Sequence, residues 1–264
     1  MQPLYIVKIG GNIIDDTGKL EHFLQDFAHI VGSKILIHGG GKIATEISKS
    51  LGIQPQLIDG RRITDADSLK VVTMVYAGLI NKNIVAQLQA AQCNAIGLTG
   101  ADANLIPAKK RQVGAIDYGF VGDIEAAKVN ASILESFLDA GLTPIVAPIT
   151  HDNAGNLLNT NADTIASTLA VALANHYEVR LIYCFEKKGV LRDVNNEESL
   201  IPKISPDTYQ ELRGNGVIAQ GMIPKMDNAL QALQEGVKAV YITHADDVLT
   251  ITNQQKPAGT VLHL

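Results

Sequence analysis

The sequence predicts an α/β protein in which helices cover both faces of a mostly parallel sheet. Three observations carry that expectation. Apolar runs of strand length alternate with helix-periodic stretches along the chain, as in strand–helix–strand units. The runs are continuously apolar rather than alternating, as expected of strands buried on both faces. Finally, 46% of the 264 residues are hydrophobic, enough for one large core or two modest ones.

The elements follow in order. Residues 4–9 form the first strand, closed by Gly10 and Gly11, and a helical period runs over 20–31. A second strand at 34–38 meets three consecutive glycines, and the helix at 42–51 stops at Gly52, a residue suited to a helix end. Thr64 is placed to cap a long helix over 65–91, with Asp67 where an acid favours a helix N-terminus. A strand at 94–98 follows, and then 107–124, whose short strand-like pieces are broken by Gly114, Gly119 and Gly122, reads as a β-hairpin excursion from the sheet. The remaining helices fall at 131–140, 162–175, 206–213 and 223–235, with Gly141 and Gly236 at two of their ends, and the remaining strands at 143–147, 180–184 and 238–243. Residues 193–199 form a polar loop, and no internal repeat, low-complexity tract or linker composition divides the chain. A single domain over 1–264 is expected.

Composition narrows the function. A net charge of −5 argues against a nucleic-acid-binding surface, and the apolar runs fall far short of a membrane span of ~20 residues. Cys93 and Cys184 are the only cysteines, which excludes a disulfide framework and a cysteine-based zinc site. Both sit in apolar runs and read as buried free thiols. The N-terminus leads directly into a strand with no basic region or cleavage pattern, and a cytoplasmic protein is expected.

Four segments are candidates for chemistry. Lys8-Ile9-Gly10-Gly11 closes the first strand, where glycines let backbone N–H groups face an anion and the strand's carboxyl end favours ligands. His38-Gly39-Gly40-Gly41 closes the second strand and opens a helix, whose bare N–H groups form an anion site. Gly39, Gly41 and Ala44, with Asp59 beyond, also match a dinucleotide fingerprint, although that fingerprint normally follows the first strand of its unit. No G-x-x-x-x-G-K-[ST] loop is present. Asn159-Thr160-Asn161-Ala162-Asp163 precedes an Ala-rich helix and serves equally as a cap or as an anchor for a lysine. Gly221-Met222-Ile223-Pro224-Lys225 is loop-to-helix punctuation carrying one lysine.

Together and in this order, and with Gly60-Arg61-Arg62-Ile63-Thr64, these motifs resemble the acetylglutamate kinases of the amino acid kinase family over almost the whole chain. The Gly119–Asp123 segment is similar to that family's hairpin near the acyl-amino-acid pocket. The resemblance implies a three-layer αβα sandwich, with an N-terminal half (about 1–175) for acyl-amino-acid binding and dimerisation and a C-terminal half (about 176–264) for ATP. It implies ATP-dependent phosphorylation of the side-chain carboxylate of an N-acyl-L-glutamate, most simply N-acetyl-L-glutamate, in arginine biosynthesis. By the same resemblance Lys8 and Lys225 stabilise the transition state and Asp163 orients them. Gly10 and Gly11 donate to the moving phosphoryl group, Gly40, Gly41, Arg62 and Asn159 hold the acyl-amino acid, and Glu186, Gly189, Gly221 and Met222 border the nucleotide. Magnesium rides on the ATP phosphates, and no protein metal ligand is assigned.

One segment departs from the family. Relatives carry Thr/Ser-Asp-Val-x-Gly after the strand at 180–184, whereas this chain reads Cys184-Phe185-Glu186-Lys187-Lys188-Gly189. Alternatives in other classes are another amino acid kinase substrate, N-succinylglutamate included, a nicotinamide-dependent oxidoreductase resting on the fingerprint, and a non-catalytic nucleotide-binding protein. A homodimer is expected, with the 65–91 helix contributing to its interface. The arginine-inhibited hexamers of the family carry an extra N-terminal helix, and only three residues precede the first strand here, so arginine inhibition is expected to be weak or absent.

Overall fold

The computed structural model describes residues 1–58, 60–218, 222–253 and 258–264. One eight-stranded sheet runs in the order Lys203–Ile204, Thr260–Leu262, Ala239–His244, Glu178–Phe185, Pro3–Ile9, Ser33–His38, Thr143–Val146 and Ala95–Leu98. Its pairings are parallel except that between Ala239–His244 and Thr260–Leu262. All six expected strands are present within two residues at each end. The short edge strand Lys203–Ile204 has no counterpart in the sequence pattern because two residues are too few to show a period, while Thr260–Leu262 beside it is the chain's final strand.

Pro3–Ile9 lies at the middle of the sheet, and its residues from Leu4 to Ile9 are all buried. Period-2 alternation divides it between two cores. Leu4 and Ile6 join the apolar cluster that holds the helices Ala162–Leu173 and Ile223–Gln234, while Tyr5, Val7 and Ile9 join the cluster that holds Thr17–Ala28. Helices therefore cover both faces, giving the three layers of an αβα sandwich. Lys8 shares the face of Leu4 and Ile6, which aims it at the start of the Ala162–Leu173 helix.

The helix ends show where local chemistry overrode the expected boundaries. The helix expected at 20–31 is Thr17–Ala28, because Asp16 caps it by accepting from Lys19 N at 3.1 Å. Asp65, not Thr64, caps the long helix, accepting from Ser68 N at 2.7 Å. Thr64 instead joins the hairpin excursion: its N–H donates to Tyr118 O at 2.9 Å and its carbonyl accepts from Phe120 N at 2.7 Å. That excursion is the antiparallel pair Ala108–Lys110 and Gly122–Ile124.

The long helix runs Ala66–Ala90, 25 residues, and by length and composition is apolar enough to cross a membrane, contrary to expectation. Here its Val71, Val72, Val75, Tyr76, Ile80, Ile84 and Leu88 pack into the second core. Its middle, Thr73–Ile80, is a π-helix, a widened turn that sequence periodicity does not report. Met74 and Leu79 on this segment stay 56% and 47% exposed.

Candidate active site

Three neighbouring strands end at the same level, because Ile9 pairs with both His38 and Cys184. The turns beyond them, at Gly10–Gly11, Gly39–Gly41 and Phe185–Glu186, therefore lie side by side at the carboxyl edge of the sheet, where open α/β sheets bind ligands. A cleft of about 210 Å³ opens there, lined by Lys8, Gly10, Gly11, Phe185, Glu186 and Lys225 among others. Cys184 also borders it, and burial pushes its thiol pKa up, so it stays protonated.

Both lysines converge on one carboxylate. Lys8 Nζ lies 2.6 Å from Asp163 Oδ1 and Lys225 Nζ 3.6 Å from Asp163 Oδ2. Asp163 sits in the first turn of Ala162–Leu173, a helix capped by Asn161, whose Oδ1 accepts from Asp163 N at 2.7 Å and Thr164 N at 3.1 Å. The cap fixes the turn, and the turn fixes the carboxylate. Burial raises the Asp163 pKa, but the two ammoniums outweigh it and hold the carboxyl below its ordinary value. Asp163 is therefore an anchor and not a base. Lys225 is shifted down by burial, with Asp163 opposing and Lys8 adding to the shift. The two ammoniums exceed the one carboxylate they share by one charge, and Glu186 also lines the cleft.

The second glycine turn is held from below and from the side. His38 is fully buried, and burial pushes its pKa down to about 4, so it is neutral. Asn81 Nδ2 donates to His38 Nε2 at 3.1 Å, which leaves the proton on Nδ1 to bond Gly39 O at 2.9 Å. Gly40 has φ +138°, and a methyl there would stand 2.2 Å from Ile80 Cδ1, so only glycine fits between this turn and the π-helix. Gly40 opens the helix Gly41–Ser50 without a side-chain cap, leaving its first amides unobstructed.

Arg62 reaches this turn from outside. Its Nη2 donates to Gly41 O at 2.9 Å and to Thr45 Oγ1 at 2.7 Å, while Nη1 is buried with no hydrogen-bond partner among the described residues. Asn159 Nδ2 donates to Thr64 Oγ1 at 3.0 Å, which ties Asn159 to the Arg62 segment and the hairpin. The structure thus gathers Lys8, Asp163 and Lys225, with Gly10, Gly11 and Glu186, around one cleft. It places Gly40, Gly41 and Arg62 together at the adjoining turn, with Asn159 linked to them through Thr64. Gly189 is instead a packing position, where a methyl would meet Thr260 Oγ1 at 2.7 Å. Met222 packs on the first core at the start of Ile223–Gln234, and Gly221 and Asp59 lie outside the described residues.

Sequence reasoning passed over Thr45 and Phe185. Thr45 stands four residues after Gly41, one helical turn on, and that spacing was a usable signal. Phe185 was visible only as a departure from the family pattern.

A mostly parallel sheet covered on both faces presents paired ammoniums and glycine turns at its edge, an arrangement suited to phosphate-bearing ligands. A model of the amino acid kinase family matches residues 3–244. The chain belongs to that family. It is 59% identical over 263 residues to an acetylglutamate kinase of Cytophaga hutchinsonii, covering 99% of both chains. Among solved structures, smu.665 from Streptococcus mutans UA159 superposes with a TM-score of 0.76 at 28% identity, covering 98% of both chains. Carbamate kinase from Giardia lamblia bound to AMP-PNP shares the fold at a TM-score of 0.71 and 15% identity, over 99% of this chain and 98% of that one.

Proposed function

We propose that this chain transfers the γ-phosphoryl group of ATP to the side-chain carboxylate of N-acetyl-L-glutamate, as a step of arginine biosynthesis in the cytoplasm. The observation that carries this reading is the convergence of Lys8 and Lys225 on Asp163 beside two glycine turns. The 59% identity to an acetylglutamate kinase supports the substrate. A glutamate-type carboxylate, with an ordinary pKa near ~4.3, is ionised at neutral pH and needs no base. The barrier is repulsion between two anions, and the remedy is fixed positive charge with backbone donors. Lys8 and Lys225 supply the charge from either side of Asp163, and the amides of Gly10 and Gly11 face the transferring group. Gly40 and Gly41 face the acceptor, with Asn159 on its amino-acid portion.

The unpartnered Nη1 of Arg62 leaves a donor for a carboxylate oxygen, while Nη2 is held by Gly41 O and Thr45 Oγ1. These acceptor groups all lie within the first 175 residues, whereas Glu186 and Lys225 lie beyond, so the halves divide into acyl-amino-acid and ATP sides. The cleft fits a polyphosphate through its amides and ammoniums. Both Asp163 oxygens are engaged by lysines, so magnesium would be held by the phosphates and would there offset their charge.

An assay of ADP release across glutamate, N-acetylglutamate and N-succinylglutamate tests the reading. N-acetylglutamate is expected to exceed free glutamate strongly in kcat/KM, and comparable values would move the chain to a neighbouring kinase class. In the same assay Arg62→Ala raises KM for the acylglutamate while leaving that for ATP near wild type. An equal rise in both constants would show a general folding defect.

We also infer a homodimer, with a second copy covering the exposed Met74 and Leu79 of the π-helical segment. That segment carries Tyr76 and Ile80 against Gly40, so the interface would buttress the acceptor turn. Light scattering is expected to give twice the mass of 28.2 kDa, and Leu79→Glu to shift the protein towards monomer. A wild-type monomer would remove the inference.

A further inference from the structure

Phe185 carries no charge and donates no hydrogen bond from its side chain, yet its ring meets both ammoniums of the site. Lys225 Nζ stands 4.1 Å from the ring centroid and Lys8 Nζ 5.6 Å, both within the distance at which an aromatic face attracts a cation. Alternation along Glu178–Phe185 puts Tyr183 and Phe185 on one side of the sheet, beneath the Ala162–Leu173 helix. Their rings stack with centroids 6.3 Å apart, and the Tyr183 hydroxyl donates to Asp163 O at 3.2 Å. The ring is thus braced from behind by a side chain that is itself fixed to the anchor residue's backbone.

Lys225 has the greater need of such a support. Its contact with Asp163 is 3.6 Å against 2.6 Å for Lys8, and 29% of its side chain is exposed against 8%. A long flexible side chain with one loose ion pair keeps several rotamers. We propose that Phe185 is a positioning residue for phosphoryl transfer, its π face holding the Lys225 ammonium over the cleft beside Asp163. The proposal rests on the kinase reading for its catalytic part only.

The charged groups around Lys225 are Asp163 on the Ala162–Leu173 helix, Lys8 on the central strand and Glu186 across the cleft. On its own helix, Asp227 is engaged elsewhere, by Tyr209 at 2.7 Å and Arg213 at 3.8 Å. Burial and Lys8 press the ammonium towards losing its proton and Asp163 opposes them. An aromatic face adds to the Asp163 side of that balance. Phe185→Leu keeps an apolar wall and removes the π face, so Lys225 should release its proton at lower pH. Phe185→Tyr keeps the face and should behave as wild type.

Two readouts test this. The first is kcat and KM for ATP across the neutral-to-basic range. The second is a ¹³C NMR titration of dimethylated Lys225, assigned with Lys225→Arg and recorded without substrates. Phe185→Leu is expected to lower kcat about tenfold with little change in KM, to move its basic limb down, and to lower the Lys225 midpoint. Phe185→Tyr restores all three. An unchanged midpoint in Phe185→Leu overturns the proposal whatever the activity, as does an equal loss in Phe185→Tyr. A lowered midpoint supports it, and failure of the wild type to phosphorylate any acylglutamate counts against the kinase reading alone.

Discussion

Replacing either Lys8 or Lys225 by alanine is expected to lower kcat by about 10²–10³, while KM for ATP changes little. The size follows from the cost of removing one preorganised electrostatic contact at a reacting centre, ~2.7–4 kcal/mol. The split between the constants follows from geometry. On the proposed reading the Gly10–Gly11 turn of the cleft also holds the ATP phosphates, so the loss falls on the charge that develops during transfer. Steady-state kinetics with thermal unfolding as a control checks both variants. A stable variant with near-normal turnover would remove that lysine from the mechanism. Lys8→Ala should also lower the melting temperature more than Lys225→Ala, since Lys8 is 7% exposed and holds the shorter contact to Asp163.

Asp163→Asn carries the second large effect, on stability. It keeps the shape of the side chain and removes the anion that two ammoniums share, leaving them facing each other partly out of water. Breaking a buried ion pair at one partner costs about 3–5 kcal/mol. The pH dependence has a definite sign. The folded-state pKa of Asp163 lies below its ordinary carboxyl value of ~3.9. The ion pair therefore stabilises the fold fully above that ordinary value, and the contribution is lost as pH falls through the folded pKa. Urea unfolding of wild type and Asp163→Asn should show their largest difference near neutrality and convergence on acidification below about pH 4. A difference independent of pH would mean that the carboxylate charge is not what Asn removes.

The sheet was legible in the sequence because its strands are buried on both faces and so written as unbroken apolar runs. Leu4–Ile9 is an example in which five of six residues are apolar and all are buried. The trio of Lys8, Asp163 and Lys225 was legible too, but only as separate motifs. Neither Lys8 nor Lys225 signals a partner on its own, because the contacts that unite them span more than 150 and 60 residues to Asp163. What the sequence withheld has physical causes. The π-helical turn at Thr73–Ile80 has no sequence period of its own to set it apart from the helix around it. Local spacing permits Thr64 to act as a cap, whereas the hairpin claims it through backbone bonds to Tyr118 and Phe120. Phe185 could be seen as an unusual residue, but that it lies against both ammoniums is a matter of sheet geometry.

The position of Pro3–Ile9 in the sheet also orders events during synthesis. This strand is flanked by Ser33–His38 and by Glu178–Phe185, so one of its edges stays unpaired until Glu178–Phe185 has been made. At ~5–20 residues per second, the ribosome needs about 10–45 s to travel from this strand to Lys225. Until Glu178–Phe185 is made, the open edge of an apolar central strand is a site for pairing with another nascent chain, and until Lys225 follows, Lys8 and Asp163 lack their third partner. The Lys8–Asp163–Lys225 cluster thus forms well after its central strand, and slow translation between the two would lengthen the interval in which aggregation competes with folding.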